Sequence, residues 1–463
     1  MKTPTTRERV VITGMGIVSP LGHDVETVWQ AILAGRSGAA RTTIFDASTF
    51  PTTFSAEVKG YDYRRFVQNP RCHEACSRSS GFVIGATAQA CRQAGIEIES
   101  QAPADRIDRT RMGIYLGAGE GSLDSDAFFA AILAAWDGQR NEFLWPRANR
   151  VVQEQMQAAH ELEQEPNMAV AHIARLTGAR GPARSCLTAC AASTQAVGEA
   201  MMLIRRGQAD IMIAGGAHSM IHVLGLTGFN RLTALSTRND SPETASRPFC
   251  ASRDGFVLGE GAAIVVLESL SSARRRGATI LAELVGYGSS SDAYRVTDMH
   301  DEGRGAVQAM KAALADAGLT YRDIDYINTH GTSTQENDSV ETLAIKTVFQ
   351  ERARQVPASS VKSMLGHLIA AAGAAELITC VLAIRDAVVP PTINLNDPDP
   401  ELDLDYVPNV PRKMPVRVVM NESFGFGGQN NVVILKQYSE GPEDPDGCIL
   451  SRRGPALSGG ERL

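Results

Sequence analysis

The chain has 463 residues, 43% apolar and 21% charged, so it can bury a large core and is too apolar to stay disordered. Its 45 Lys and Arg against 52 Asp and Glu leave a net charge of −7, which argues against a nucleic-acid binder that relies on global basic charge but does not exclude a local basic patch for an acidic partner. No run of about 18 apolar residues is present, the opening Met1–Arg9 is polar, and the 8 cysteines are too sparse for a disulfide scaffold, so the expected setting is a reducing cytoplasm without a membrane span.

Short Val- and Ile-rich runs alternate with longer Ala-rich stretches of helical period. In chain order, Val10–Thr13, Gly113–Leu116, Ile211–Ala214, Ala263–Leu267, Ile280–Val285, Tyr326–Asn328 and Val432–Leu435 read as strands. Val25–Ala34, Gly81–Ala94, Ala191–Arg206, Gly305–Ala317, Val340–Phe349 and Leu368–Arg385 read as helices. This alternation predicts a layered α/β fold. Two helices, after Cys190 and after His367, are built from small residues and belong in a crowded centre. Their likeness hints at an internal duplication, with one half ending near residue 270 and the other near 436. Residues 136–165 read as a polar helical excursion on the surface, and 437–463 as a disordered tail holding Cys448.

Some patterns are decoys. Gly14-Met-Gly16 lacks the third glycine and the downstream acid of a dinucleotide fingerprint and reads as a tight turn. Gly117-Ala-Gly119-Glu120-Gly121 would place a negative charge against a phosphate. Cys72-His73-Glu-Ala-Cys76 has no second pair to complete a zinc site, so no metal is expected. Cys91, Cys186, Cys250 and Cys380 read as inert small apolar residues.

Four motifs carry chemistry. Thr188-Ala-Cys190-Ala-Ala-Ser193 opens into a helix, whose dipole is expected to lower the thiol pKa while backbone N–H groups hold an oxyanion. Asn328-Thr-His330-Gly-Thr332-Ser-Thr334 follows a strand and suits a substrate-facing turn. Lys362-Ser-Met-Leu365-Gly-His367 puts a second histidine at a helix start, where the imidazole stays neutral and donates an N–H. Ser423-Phe424-Gly425-Phe-Gly427-Gly428 is a loop able to approach a ligand closely.

In this order and spacing, and with Ser246-Arg-Pro-Phe249 and Arg253-Asp-Gly-Phe256, these motifs resemble the β-ketoacyl-acyl carrier protein synthases, in particular the type II elongating ketosynthases, from about Arg9 to Lys436. The resemblance implies a thiolase fold: duplicated βαβαβαββ halves in a five-layer αβαβα arrangement. The N-terminal half, 1–270, would carry the nucleophile and the 136–165 insertion; the C-terminal half, 271–436, would carry both histidines and the lysine. It implies an acyltransferase that performs a decarboxylative Claisen condensation, adding two carbons from malonyl-acyl carrier protein to an acyl chain held on Cys190, in fatty-acid or related polyketide synthesis.

By the same resemblance, Cys190, His330, His367, Lys362 and Glu341 form the catalytic set, with Lys362 paired to Glu341. Phe424 supplies an oxyanion N–H and gates the acyl pocket, and Phe256 stands beside the malonyl site. Thr332, Thr334, Gly425 and Gly427 bind substrate. The implied partner is acyl carrier protein, acyl- and malonyl-loaded, with a homodimer or a heterodimer as the assembly. No separate cofactor is needed, because phosphopantetheine arrives on the carrier. The alternatives are a non-catalytic chain-length-factor-like subunit, against which the presence of Cys190, His330 and His367 argues, and a thiolase, which would need a second cysteine that is missing between Cys380 and the tail.

Overall fold

The computed structural model describes residues 7–100, 103–121 and 124–440. The tail expected at 437–463 therefore lies, from 441 onward and including Cys448, outside the described residues.

The first half runs β1 (Val10–Val18), α1 (Arg78–Ala94), β2 (Met112–Ala118), α2 (Met168–Thr177), β3 (Ala183–Cys186), α3 (Ala192–Arg205), β4 (Ile211–His218) and β5 (Gly261–Ser269). The second repeats it as β6 (Ala282–Ser291), α4 (Arg304–Ala317), β7 (Tyr326–Asn328), α5 (Gln335–Phe349), β8 (Ala358–Ser359), α6 (Ala372–Asp386), β9 (Val418–Gly425) and β10 (Gln429–Lys436). Each half is βαβαβαββ. The pairing repeats too. In β3-β2-β4-β5-β1 the first two ladders are parallel and the last two antiparallel. The order β8-β7-β9-β10-β6 has the same pattern. A ladder of three pairs, Val10↔Leu284 to Ile12↔Ala282, joins the two halves into one ten-stranded sheet.

Helices α3 and α6 each touch strands of both halves, whereas α1 lies on β1 and β5 and α4 on β6 and β10. The layers are therefore α, β, α, β, α, with α3 and α6 in the middle. Small residues permit this. A Cβ on Gly373 would lie 1.9 Å from Oγ1 of Thr194 in α3, and every residue of α6 from Ala372 to Ile384 is buried. Both faces of the central strands are covered, which explains their unbroken apolar character.

Three expectations change. Gly14 and Gly16 lie inside β1, not in a turn; a Cβ on either would strike the carbonyl oxygen of Ala90 or Ala86, at 2.1 and 1.9 Å, so they let α1 sit directly on the strand. The short strands β3 and β8 carry no apolar run from which to read them, and β9 runs on from Val418-Val419-Met420 through Phe424 into the segment expected to be a loop. The excursion begins earlier than 136, with helix Ser125–Ala135, a hairpin pairing Trp136 with Phe143, and helix Trp145–Gln155. It is not simply polar: Leu133 and Trp145 are 76% and 69% exposed.

Candidate active site

The two halves place equivalent turns at the centre. Ala189 takes φ +47° and begins a single 3-10 turn, Ala189–Ala191, that leads into α3. Ile369 takes φ +48° and begins the turn Ile369–Ala371 that leads into α6. A left-handed alanine or isoleucine costs about 1–3 kcal/mol, and surrounding packing must hold it. The first turn carries Cys190, and the second is reached from His367. His330 comes from the end of β7. One side-chain atom from each of Cys190, His330 and His367 lies within 4.8 Å of the others. All three line a cleft of about 260 Å³ with Phe256, Thr332, Thr334, Gly425 and Phe426.

Hydrogen bonds fix the ring tautomers. Nδ1 of His367 accepts the backbone N–H of Ile369 at 3.2 Å. Nε2 therefore carries the proton, and it is buried without a partner. Nδ1 of His330 faces the Lys362 ammonium at 3.2 Å and can only accept, so its Nε2–H is the donor left for the cleft. Burial, then the charge of Lys362, holds both imidazoles well below the usual histidine range. Both are neutral N–H donors at physiological pH. The rings of Phe256 and Phe424 pack edge-on against His367 and His330, with centroids 5.1 and 5.8 Å apart.

Cys190 differs from its expectation. Burial pushes the thiol up to about 11, against the lowering by Lys362 and by the N–H groups of Phe426 and Cys190 itself. The helix proper starts only at Ala192, two residues on, so the dipole acts at a distance while desolvation acts in full.

Lys362 and Glu341 also differ. The ammonium pairs with the buried carboxylate of Glu376 on α6, not with Glu341, and donates to the carbonyl of His330 at 2.6 Å. Glu341 instead accepts the backbone N–H groups of His330 and Gly331 at 2.6 and 2.7 Å. It positions the histidine turn and does not itself line the cleft. Neighbouring Asp338 accepts the N–H of Ser333 at 3.2 Å and that of Phe249 at 2.8 Å, which ties the Ser246–Phe249 motif to the same turn.

Phe424 lies within β9, opposite Asn430, and its ring, buried against His330, lines the cleft. The backbone N–H of Phe426 acts on the Cys190 thiol to lower its pKa, and the half-buried Phe426 side chain packs into the apolar cluster around Cys190. Phe424 and Phe426 thus both border the cleft, Phe424 on the His330 side and Phe426 on the Cys190 side. Gly425 has no room for a Cβ, which would lie 2.9 Å from the carbonyl oxygen of Thr188 and 3.2 Å from the nitrogen of Cys190. Gly427 does not line the cleft; it turns the loop at φ +84° and donates its N–H to Val296 at 2.6 Å. Thr332 and Thr334 face each other across the cleft wall, with their hydroxyls 3.0 Å apart.

Glu376 and Phe426 went unread in the sequence. The signals were a lone acid in an otherwise apolar helix and a second aromatic at the strand's end. No helix of the described residues is long and apolar enough to cross a membrane.

Residues 7–273 match the family described as "Beta-ketoacyl synthase, N-terminal domain", and residues 281–396 its C-terminal domain. The chain is 43% identical over 433 residues to 3-oxoacyl-[acyl-carrier-protein] synthase 2 of Coxiella burnetii, covering 93% of this chain and 99% of that one. It is 40% identical over 437 residues to the protein of the same name from Vibrio harveyi, covering 94% and 100%. Among solved structures, a β-ketoacyl synthase from Burkholderia phymatum superimposes with a TM-score of 0.82 at 32% identity, covering 93% of this chain and all of that one. A type II polyketide ketosynthase in complex with its acyl-carrier protein does so with a TM-score of 0.81 at 32% identity, covering 94% and 100%.

Proposed function

The chain belongs to the β-ketoacyl synthase family, and on that premise we propose that it elongates acyl chains as a 3-oxoacyl-acyl carrier protein synthase. One observation carries the mechanism: both histidines spend Nδ1 on the protein and keep Nε2–H for the cleft beside Cys190.

The Cys190 thiol attacks the acyl thioester on the carrier, forming a new C–S bond. The carrier's phosphopantetheine thiol leaves with the proton. The N–H groups of Cys190 and Phe426 hold the tetrahedral oxyanion. Malonyl-acyl carrier protein then enters along Thr332 and Thr334. Loss of CO₂ leaves its electron pair in an enolate, and Nε2–H of His330 and of His367 stabilises the charge on the thioester oxygen. The nucleophilic carbon attacks the acyl-Cys190 carbonyl. The C–S bond breaks, the product leaves as 3-oxoacyl-acyl carrier protein, and the thiolate regains a proton. Decarboxylation drives the step, so the residues in place need no separate cofactor or metal.

The same reading places the boundary between the nucleophile-bearing and histidine-bearing halves at about residue 271. It takes acyl carrier protein, acyl- and malonyl-loaded, as the partner and the cytoplasm as the compartment, the latter supported by sparse, irregular cysteines. A homodimer belongs to it; Leu133, Trp136 and Trp145, large apolar side chains exposed on the excursion, are what such an interface would cover. The chain-length-factor alternative needs no nucleophile and is disfavoured by Cys190 and its two donors.

Intact-mass analysis after incubation with a panel of acyl-carrier proteins tests this reading. Cys190 is expected to gain one acyl group, and adding malonyl-acyl carrier protein to release it as a product two carbons longer. Cys190→Ala should take up no acyl group yet still decarboxylate the malonyl carrier. Full condensation by Cys190→Ala, or an unacylated wild type, overturns the proposal.

A further inference from the structure

Behind His330 the structure holds an acid that the mechanism above does not use. Glu422 lies in β9, one residue beyond Asn421, which pairs with Asn328 just before the histidine turn. It is fully buried, and among the described residues no N–H or hydroxyl donates to either carboxyl oxygen. Met420 and Phe424, two residues to either side of it in β9, pack into the cluster that holds Ala344 and Ile345 of α5, so Glu422 faces the helix that carries Glu341, and the two carboxyls act on each other.

Glu341 is in the opposite condition. It takes the N–H groups of His330 at 2.6 Å, Gly331 at 2.7 Å and the Asn337 side chain at 3.2 Å. A carboxylate accepts at about four positions, so one is left. Two facing, buried carboxyls cannot both ionise without a large electrostatic cost. The one with three N–H donors is the anion, and the one with none holds the proton.

We propose that Glu422 is a protonated positioning residue: its carboxyl O–H fills the last acceptor site of Glu341 and so holds the carboxylate that clamps the backbone of His330 and Gly331. Nothing is consumed; one proton is shared across a hydrogen bond. The charged groups near the pair are Lys362, Glu376 and Asp338, with the neutral Tyr406 phenol beyond. Lys362 is committed to Glu376 and to the His330 carbonyl, so it is not free to neutralise a second anion. Burial also drives Glu422 well above the usual carboxylate range, in keeping with the acid form.

The inference rests on the condensing role proposed above, because it assigns Glu422 to the presentation of His330. Its first test does not. The infrared spectrum of the full-length protein at neutral pH should show the C=O stretch of a protonated carboxyl that shifts in D₂O and vanishes in Glu422→Gln. Absence of that band, or its survival in Glu422→Gln, overturns the proposal whatever the enzyme does. The second test is malonyl-acyl carrier protein decarboxylation against pH. Glu422→Gln still donates to Glu341 and cannot ionise, so it should rescue most of the rate and keep it at alkaline pH where the wild type declines. Glu422→Leu cannot donate and should lose about tenfold at neutral pH, while Cys190 self-acylation is spared. If Glu422→Gln and Glu422→Leu fall equally, or acylation falls with decarboxylation, Glu422 is merely structural. A wild type that shows the band but never condenses would refute the function and leave the shared proton standing.

Discussion

Nζ of Lys362 lies 3.2 Å from Nδ1 of His330 and donates to the same residue's carbonyl oxygen at 2.6 Å. A cation held on one ring nitrogen forbids a proton there. The imidazole is thus kept neutral and oriented by one side chain, and Glu376 holds that side chain in place.

The first consequence concerns acid pH. Both imidazoles are held well below an ordinary histidine, so their neutral donor form persists as pH falls through the range where free histidine charges, about 6.5. The decarboxylation rate should show no acid limb at that pH, and one should move upward in Lys362→Met, which lacks the charge that lowers both imidazoles; an inflection near about 6.5 in the wild type would contradict the assignment. Stability moves the other way. The unfolded chain takes up protons below about pH 6.5 that the folded chain refuses, so unfolding free energy should drop as pH falls through that value.

A second consequence concerns the thiol. With its pKa raised to about 11, Cys190 in the resting protein should alkylate slowly with iodoacetamide at neutral pH, its rate still climbing above pH 9. A plateau reached by about pH 8 would mean that local donors outweigh burial.

The two phenylalanines of the loop should separate cleanly. Phe424→Ala removes a buried ring beneath His330 and should cost about 3–5 kcal/mol in denaturant unfolding. Phe426→Ala removes a half-buried ring from the wall beside Cys190. It should cost under about 1.5 kcal/mol and instead change which acyl lengths load the thiol, read by intact mass. Equal effects would return the gate to Phe424.

Gly425→Ala is a test by one methyl group. The added carbon meets the Thr188 carbonyl and the amides of Cys190 and Ala191, so the loop must withdraw from the nucleophile's turn. A loss of about 100-fold in self-acylation is expected from a misplaced oxyanion donor, with little change in melting temperature. Near-normal acylation would show that Phe426 N–H is dispensable.

Much of this was legible before any coordinates. Cys190, His330 and His367 stand out because each polar residue abuts a strand end or a helix built of small residues, and those features survive folding unchanged. Lys362 was legible but its partner was not: Glu341 and Glu376 are both acids in helices, and only the packing of α6 against the lysine decides between them. Phe424 and Phe426 are two apart in Ser-Phe-Gly-Phe, so they share a face in an extended chain; where β9 ends determines which amide is freed for the sulfur. The thiol misled because a helix start was visible and its burial was not. Short strands such as β8 owe their existence to their neighbours and leave no pattern of their own.

The repeated left-handed turns at Ala189 and Ile369 give the reaction its geometry. One shape, used twice, carries sulfur in one half and is reached from nitrogen in the other, and those atoms meet in one cleft. Their separation is therefore set by the repeated core rather than by any surface loop. Outer segments such as the Ser125–Leu162 excursion are free to lengthen, shorten or change partners in evolution while the chemistry stays in register.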